Sequence, residues 1–199
     1  YKRAFTNDEG PNTGGMGAHG PVQIDEKLKG KIEELFNKTL VGLEKEGIYY
    51  RGFLYIGLMV VDGEPYVLEY NVRLGDPETE VIVSMEPEQF ALNVLKAYSK
   101  EPLDEYTPKC CAVDVVVASE GYPESPKKGQ EIQFQKDGFF FYGGVTEKNG
   151  KLVVNGGRVL HSMGVGENLE QARAHAYKNI ESVYFEGMYY RTDIAGTEL

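Results

Sequence analysis

The sequence predicts an α+β chain, with helices set against antiparallel strands and then a strand-rich region closing on a C-terminal helix. Three observations carry this. Leu28, Ile32, Leu35, Phe36, Thr39 and Leu43 recur at helical spacing. Two apolar runs flank Asp62-Gly63, a hairpin signal. Beyond Lys109 the texture changes to short β-branched runs broken by Gly, Asn and Pro.

The elements follow in order. Lys2-Arg3-Ala4-Phe5 reads as the middle of something, and the chain begins at Tyr1, so it is expected to be a piece of a longer protein. Residues 6–21 are rich in Gly and Pro and read as a loop. A helix is expected from about Glu26 to Glu46, with Asp25 as N-cap and Gly47 as the stop. The run Phe53 to Val61 is a strand, and Tyr66 to Val72 returns antiparallel to it. A second helix starts near Pro87 and carries Phe90, Val94, Leu95 and Tyr98. Lys100 to Lys109, with Pro102 and Pro108, reads as a linker. Strands are expected over Cys111 to Ala118, Phe139 to Val145, Lys151 to Val154 and Arg158 to Met163. Asn168 with Gln171 three residues on marks the start of the last helix, whose inner stripe is Leu169, Ala172, Ala176, Ile180 and Val183.

Composition narrows the function. Of 199 residues 41% are hydrophobic and 26% charged, an ordinary globular balance. The net charge of −10 argues against general nucleic-acid binding. No apolar run reaches the roughly 18 residues of a membrane helix. The two cysteines, Cys110 and Cys111, are adjacent and poorly placed for a disulfide. Reduced strand cysteines fit a cytoplasmic protein. His19, His161 and His175 are far apart in sequence, form no ligand motif and read as structural or surface residues.

Two stretches bear on chemistry. In a strand from Tyr66 to Val72, Glu69 and Asn71 point the same way, and Arg73 joins them if the strand runs on. The other face carries Tyr66, Leu68, Tyr70 and Val72, which suits a core. Alternating charged residues usually make a solvated sheet face. A carboxylate, an amide oxygen and a guanidinium in one row also suit a magnesium ion and a polyphosphate. Asn is disfavoured in strands, and Gly75-Asp76-Pro77 breaks the chain where the polar row ends. The second stretch is Pro11 to Gly17. Its glycines allow close backbone approach to a ligand, and equally suit a surface loop.

Together these residues resemble one family. Gly10-Pro11-Asn12-Thr13-Gly14-Gly15-Met16-Gly17-Ala18, Gly52 to Met59, Glu69 to Glu78, Gly121-Tyr122-Pro123, Asn155-Gly156-Gly157-Arg158-Val159-Leu160 and Arg191-Thr192-Asp193-Ile194 are similar to the phosphoribosylamine–glycine ligases. The resemblance implies an ATP-grasp ligase of purine biosynthesis. Residues 1–104 would be the C-terminal part of its ATP-grasp domain, an antiparallel sheet with helices. Residues 105–199 would be a small mixed β-sheet domain with a C-terminal helix. The family joins glycine to 5-phosphoribosylamine through a glycyl phosphate, giving glycinamide ribonucleotide, ADP and phosphate. Glu69 and Asn71 would then hold Mg2+ or Mn2+, and Arg73 would face the transferring phosphoryl group. Asn12, Thr13, Gly14, Gly15, Gly17 and Asp76 would lie against substrate. The N-terminal half of the enzyme would be missing, and the piece alone inactive. Many ATP-grasp enzymes carry a further metal carboxylate where this chain has Gly57, 12 positions before Glu69. Leu74 replaces a more usual Phe, and His19 and Asp114 are untypical and carry no assigned role. Another ATP-grasp carboxylate–amine ligase, or a non-catalytic module keeping the fold, are the competing readings.

Overall fold

A computed structural model describes residues 1–196; residues 197–199, the end of the expected second domain, lie outside the described residues. It has helices and antiparallel sheets, as expected. In chain order the elements begin with β1 (Arg3–Phe5), β2 (Glu9–Asn12), β3 (Gly17–Gly20), α1 (Glu26–Lys45), β4 (Tyr55–Val61) and β5 (Glu64–Asn71). Then come α2 (Glu78–Met85), α3 (Pro87–Ser99), β6 (Cys111–Ser119), β7 (Gln133–Phe134), β8 (Phe140–Tyr142), β9 (Val145–Lys148) and β10 (Lys151–Val154). The last are β11 (Arg158–Gly166), α4 (Leu169–Ile180), β12 (Val183–Tyr184) and β13 (Met188–Tyr189). They form two compact units, one of Val22–Gly75 and one of Tyr1–Pro21 with the chain from Asp76 onward. No helix among the described residues is long and apolar enough to cross a membrane.

The larger unit is organised on β6. One edge of β6 pairs with β11 along its whole length. The other edge takes β3 against Ala112 to Val115 and β13 against Ala118 and Ser119. β8 extends the sheet beyond β11. Both faces of β6 are covered, so it reads as a nearly continuous apolar run. Val113, Val115 and Val117 face a core that includes Leu160, Phe185 and the α4 stripe Ala172, Ala176 and Ile180. On the other face Ala112 packs with Met163 and with Val81 and Met85 of α2. α4 lies very close on β11: a Cβ on Gly164 would sit 1.9 Å from the Ala172 carbonyl oxygen. Helix α2 is absent from the sequence reading. Its burial rests on only two residues, Val81 and Met85, one helical turn apart.

Residues 6–21 are not a loop, which corrects the sequence reading. Glu9–Asn12 pairs with Arg3–Phe5, and Gly17–Gly20 is a strand on β6. Gly content lowers local strand propensity, but here tertiary pairing decides. Gly17 is required where it is, because a Cβ would lie 2.7 Å from the Asp114 carbonyl oxygen. The buried Arg191 fastens this segment. It donates to Asp8, Asp193 and the Arg3 carbonyl and lies over the Tyr1 ring.

The smaller unit is α1 beside the β4–β5 hairpin. Asp25 caps α1 by accepting the Leu28 N–H at 2.7 Å. Gly47, at φ +70°, ends it, with the Gly47 and Ile48 N–H groups returning to the Glu44 and Leu43 carbonyls. Asp62 and Gly63 both have positive φ, as a two-residue hairpin turn requires. The six expected stripe residues of α1 are its half-buried face, yet no hydrophobic residue of 22–75 is fully buried. Tyr66, Leu68, Tyr70 and Val72, expected to form one core-facing side, are half or more exposed, and the pairing irregularity at Leu68 puts Tyr66 and Tyr70 on opposite faces. One helix over a two-stranded ribbon has too little surface to enclose it.

Candidate active site

Glu69 and Asn71 lie on β5 past an irregularity in its pairing. Gly57 opposes Glu69, while Leu58 opposes Val67, so Leu68 is the extra residue of a bulge. A bulge re-aims the side chains beside it. From Glu69 to Asn71 the pairing with Gly57, Ile56 and Tyr55 is regular, so both side chains project from one face. Gly57 is thus the direct cross-strand neighbour of Glu69. A Cβ there would come within 3.0 Å of Glu69 Cγ, so glycine leaves Glu69 its room. Arg73 follows the end of the strand, exposed, and donates to the Leu74 carbonyl at 3.0 Å. Among the sequence-predicted residues, these three belong to the smaller unit.

Asn12, Thr13, Gly14, Gly15, Gly17 and Asp76 belong to the larger unit. The turn after β2 is tightly bonded within itself. Thr13 donates its N–H and its hydroxyl to the Lys2 carbonyl, at 2.7 and 2.8 Å. The Gly14 N–H donates to Tyr122 Oη and the Gly15 N–H to Thr13 Oγ1, each at 3.0 Å. These N–H groups are therefore engaged by protein acceptors. Asn12 is exposed at the end of β2. Gly15, at φ +130°, packs where a Cβ would sit 2.6 Å from Pro77 Cδ. The glycines thus let this turn lie against Asp76-Pro77.

Arg158 joins the two pieces. Its Nη1 donates to the Asp76 carbonyl at 2.8 Å, reaches Gly15 O at 3.5 Å and pairs with Asp76 Oδ1 at 2.8 Å. The sequence reading assigned Arg158 no role, although it sits in the quoted Asn-Gly-Gly-Arg run. Behind Asp76 lies a buried dyad that it also missed. Met163 of β11 opposes Asp114, and His161 lies two residues away on the same sheet face. His161 Nδ1 and Asp114 Oδ2 are 2.7 Å apart, with side chains 2% and 0% exposed. Burial pushes the Asp114 carboxyl up to about 6, against the pull of His161. Burial alone would lower His161, but its hydrogen bond to Asp114 and that charge hold it above its ordinary value. Spacing alone gave no signal, because Asp114 and His161 are 47 residues apart.

Comparison with known proteins is consistent along the chain. Residues 1–79 match the model for the phosphoribosylglycinamide synthetase ATP-grasp (A) domain, and residues 112–197 the model for the C domain of the same enzyme. The Thermotoga maritima protein named phosphoribosylamine–glycine ligase is 60% identical over 98% of this chain, which covers 49% of that protein. Its crystal structure superposes with TM-score 0.94 over 98% of this chain and 50% of that one, at 59% identity. The biotin carboxylase domain of a single-chain bacterial carboxylase shares the fold alone, at TM-score 0.57 and 15% identity over 88% of this chain and 42% of that one. The chain spans about half the length of the curated relatives it matches.

Proposed function

Since the chain belongs to the phosphoribosylglycinamide synthetase family, with an ATP-grasp fold, we propose that it carries the metal and phosphoryl side of a ligase joining glycine to 5-phosphoribosylamine. The observation that carries this reading is the pair Glu69 and Asn71 on one strand face, with Gly57 opposite. A carboxylate oxygen of glycine attacks the γ-phosphorus of ATP, and ADP leaves. The amine nitrogen of 5-phosphoribosylamine then attacks the glycyl carbon, phosphate leaves and the nitrogen loses a proton. Glycinamide ribonucleotide results. No protein nucleophile is needed, so positioning and charge neutralisation do the catalysis.

Glu69 and Asn71 supply oxygen donors for Mg2+ or Mn2+, which neutralises phosphate charge when bound. Glycine at position 57 would add no ligand of its own to that ion. Arg73 meets the transferring phosphoryl group, which a planar guanidinium suits. Asp76 and the Asn12, Thr13, Gly14, Gly15, Gly17 turn contact substrate, a reading supported by Arg158, which ties Gly15 to Asp76. Residues 1–104 are the ATP-grasp part and 105–199 the C-terminal domain, supported by family matches that end at 79 and resume at 112.

The test is Glu69→Ala in the whole enzyme, assayed with glycine, 5-phosphoribosylamine and ATP. Turnover should fall on the order of 10²-fold or more. Metal-dependent turnover that survives unchanged sinks the metal assignment. ADP release compared across glycine and other carboxylates separates this ligase from others of the same fold.

A further inference from the structure

We propose that Asp76, Glu80 and His161 form a second divalent-cation site, built from residues other than Glu69 and Asn71 and suited to a first-row transition ion of the zinc class. Three segments converge there: the turn before α2, the first turn of α2, and the middle of β11. Each offers one ligand atom, and the three atoms lie within 4.8 Å of one another.

The geometry around His161 points to an ion. Its Nδ1 is bonded to Asp114, the carboxylate–histidine arrangement that orients a metal-binding imidazole. With Nδ1–H donated to Asp114, Nε2 turns a lone pair toward the other carboxylates. Among the described residues Nε2 makes no hydrogen bond; it stands 3.6 Å from Asp76 Oδ1. The ring as a whole is 2% exposed. Glu80 Oε2 is buried and without a hydrogen-bond partner. Buried polar atoms left unpaired are costly and call for a reason. A lone pair facing carboxylate oxygens is repulsive, and a cation among them satisfies all three.

Charge agrees with a divalent ion. The charges of Asp76, Glu80 and Asp114 all act on His161, and the Arg158 guanidinium pairs with Asp76, which it orients through its carbonyl and carboxylate. Three carboxylates against one cation leave an excess that one divalent ion balances. At metal bond lengths of roughly 2.0–2.2 Å the donors must close to about 3.3 Å. Asp76 can supply that movement and the entry path, since its side chain is 48% exposed. An imidazole with two carboxylates favours zinc, cobalt or manganese over magnesium, which prefers oxygen donors and water. An ion there would pin Asp76 to β11 and α2. If Asp76 faces substrate, occupancy would set its position; that consequence rests on the proposed function, whereas the site does not.

The experiment titrates the chain with Co2+, followed by visible absorption, and with Zn2+ by calorimetry, above neutral pH. One ion should bind with an absorption spectrum of nitrogen and oxygen ligation. Glu80→Gln and His161→Gln should abolish it, and metal-free melting curves would show whether each variant is folded. Asp114→Asn should weaken it by about 10–100-fold. Glu69→Ala should leave it intact, which separates this site from the proposed catalytic one. Binding unaltered in folded Glu80→Gln overturns the proposal. So does an absence of binding at millimolar metal, which would mean that a proton on His161 fills the gap. Thiolate-to-cobalt charge transfer would place the ion on Cys110 or Cys111 and overturn it as well.

Discussion

The two compact units hold themselves together differently. The larger has a sheet buried on both faces, with Phe185, Leu160 and Met16 at 0% exposure. The smaller keeps no hydrophobic residue fully buried and relies on a capped helix, a two-residue turn and polar ties such as Lys31 to Glu64 and the Gly63 carbonyl. In the first, stability follows volume and close approach. In the second, it follows local backbone chemistry. The proposed metal residues sit on the second kind of scaffold and the buried dyad on the first, so a similar substitution should have different consequences in each.

The sharpest way to break this contrast is a large-to-small change. Phe185→Ala should cost about 3–5 kcal/mol in urea unfolding. Leu35→Ala, on the half-buried face of α1, should cost roughly 1 kcal/mol. Equal costs would show that the smaller unit has a true core. A second comparison uses one substitution twice. Gly164→Ala should destabilise by about 1–3 kcal/mol, because its Cβ would meet the Ala172 carbonyl oxygen. Gly30→Ala, in α1 with nothing within 4 Å, should instead stabilise that helix by up to about 1 kcal/mol, read by circular dichroism.

A third comparison is electrostatic. Hydrogen bonding to Arg191 holds the Asp193 carboxyl below its ordinary 3.8, outweighing burial. A depressed carboxylate stabilises the fold above its unfolded value, and that contribution is lost as pH falls through the folded one. Asp193→Asn should therefore cost about 1–2 kcal/mol at neutral pH. The gap to the parent should shrink below about pH 4, tracked by melting temperature against pH. The smallest effect concerns the caps. Asp25→Ala and Asn168→Ala should each cost about 0.5–1 kcal/mol. Amide exchange should show the first as fraying confined to α1 and the second as a loss across the cored unit.

Much of this was legible in the chain itself. The α1 stripe, the Asp25 cap, the Asp62-Gly63 turn, the α4 start at Asn168 and the longer strands from Cys111 onward follow from local rules; the short β7, β12 and β13 do not, and Val183, expected on the α4 stripe, lies in β12 beyond the helix end at Ile180. So does the pairing of Glu69 with Asn71, since alternation along a strand is a property of the backbone. What local rules did not reach was contact between distant segments. They read residues 6–21 as a loop because glycine hides a strand whose partner lies about a hundred residues away, on β6. They passed over α2, whose buried face is only two residues wide. They read His161 as a structural or surface residue and gave Asp114 no role, although each is the other's hydrogen-bond partner.

The sequence by itself determined the types of the longer elements apart from α2, the polar row on β5 and the family, because these depend on neighbours within a few positions or on ordered motifs. Only the tertiary structure decided that Gly57 faces Glu69, that Arg158 grips Asp76, and that Asp76, Glu80 and His161 share one small space. Those facts depend on strand register and on which helix covers which sheet face, and no local spacing encodes either.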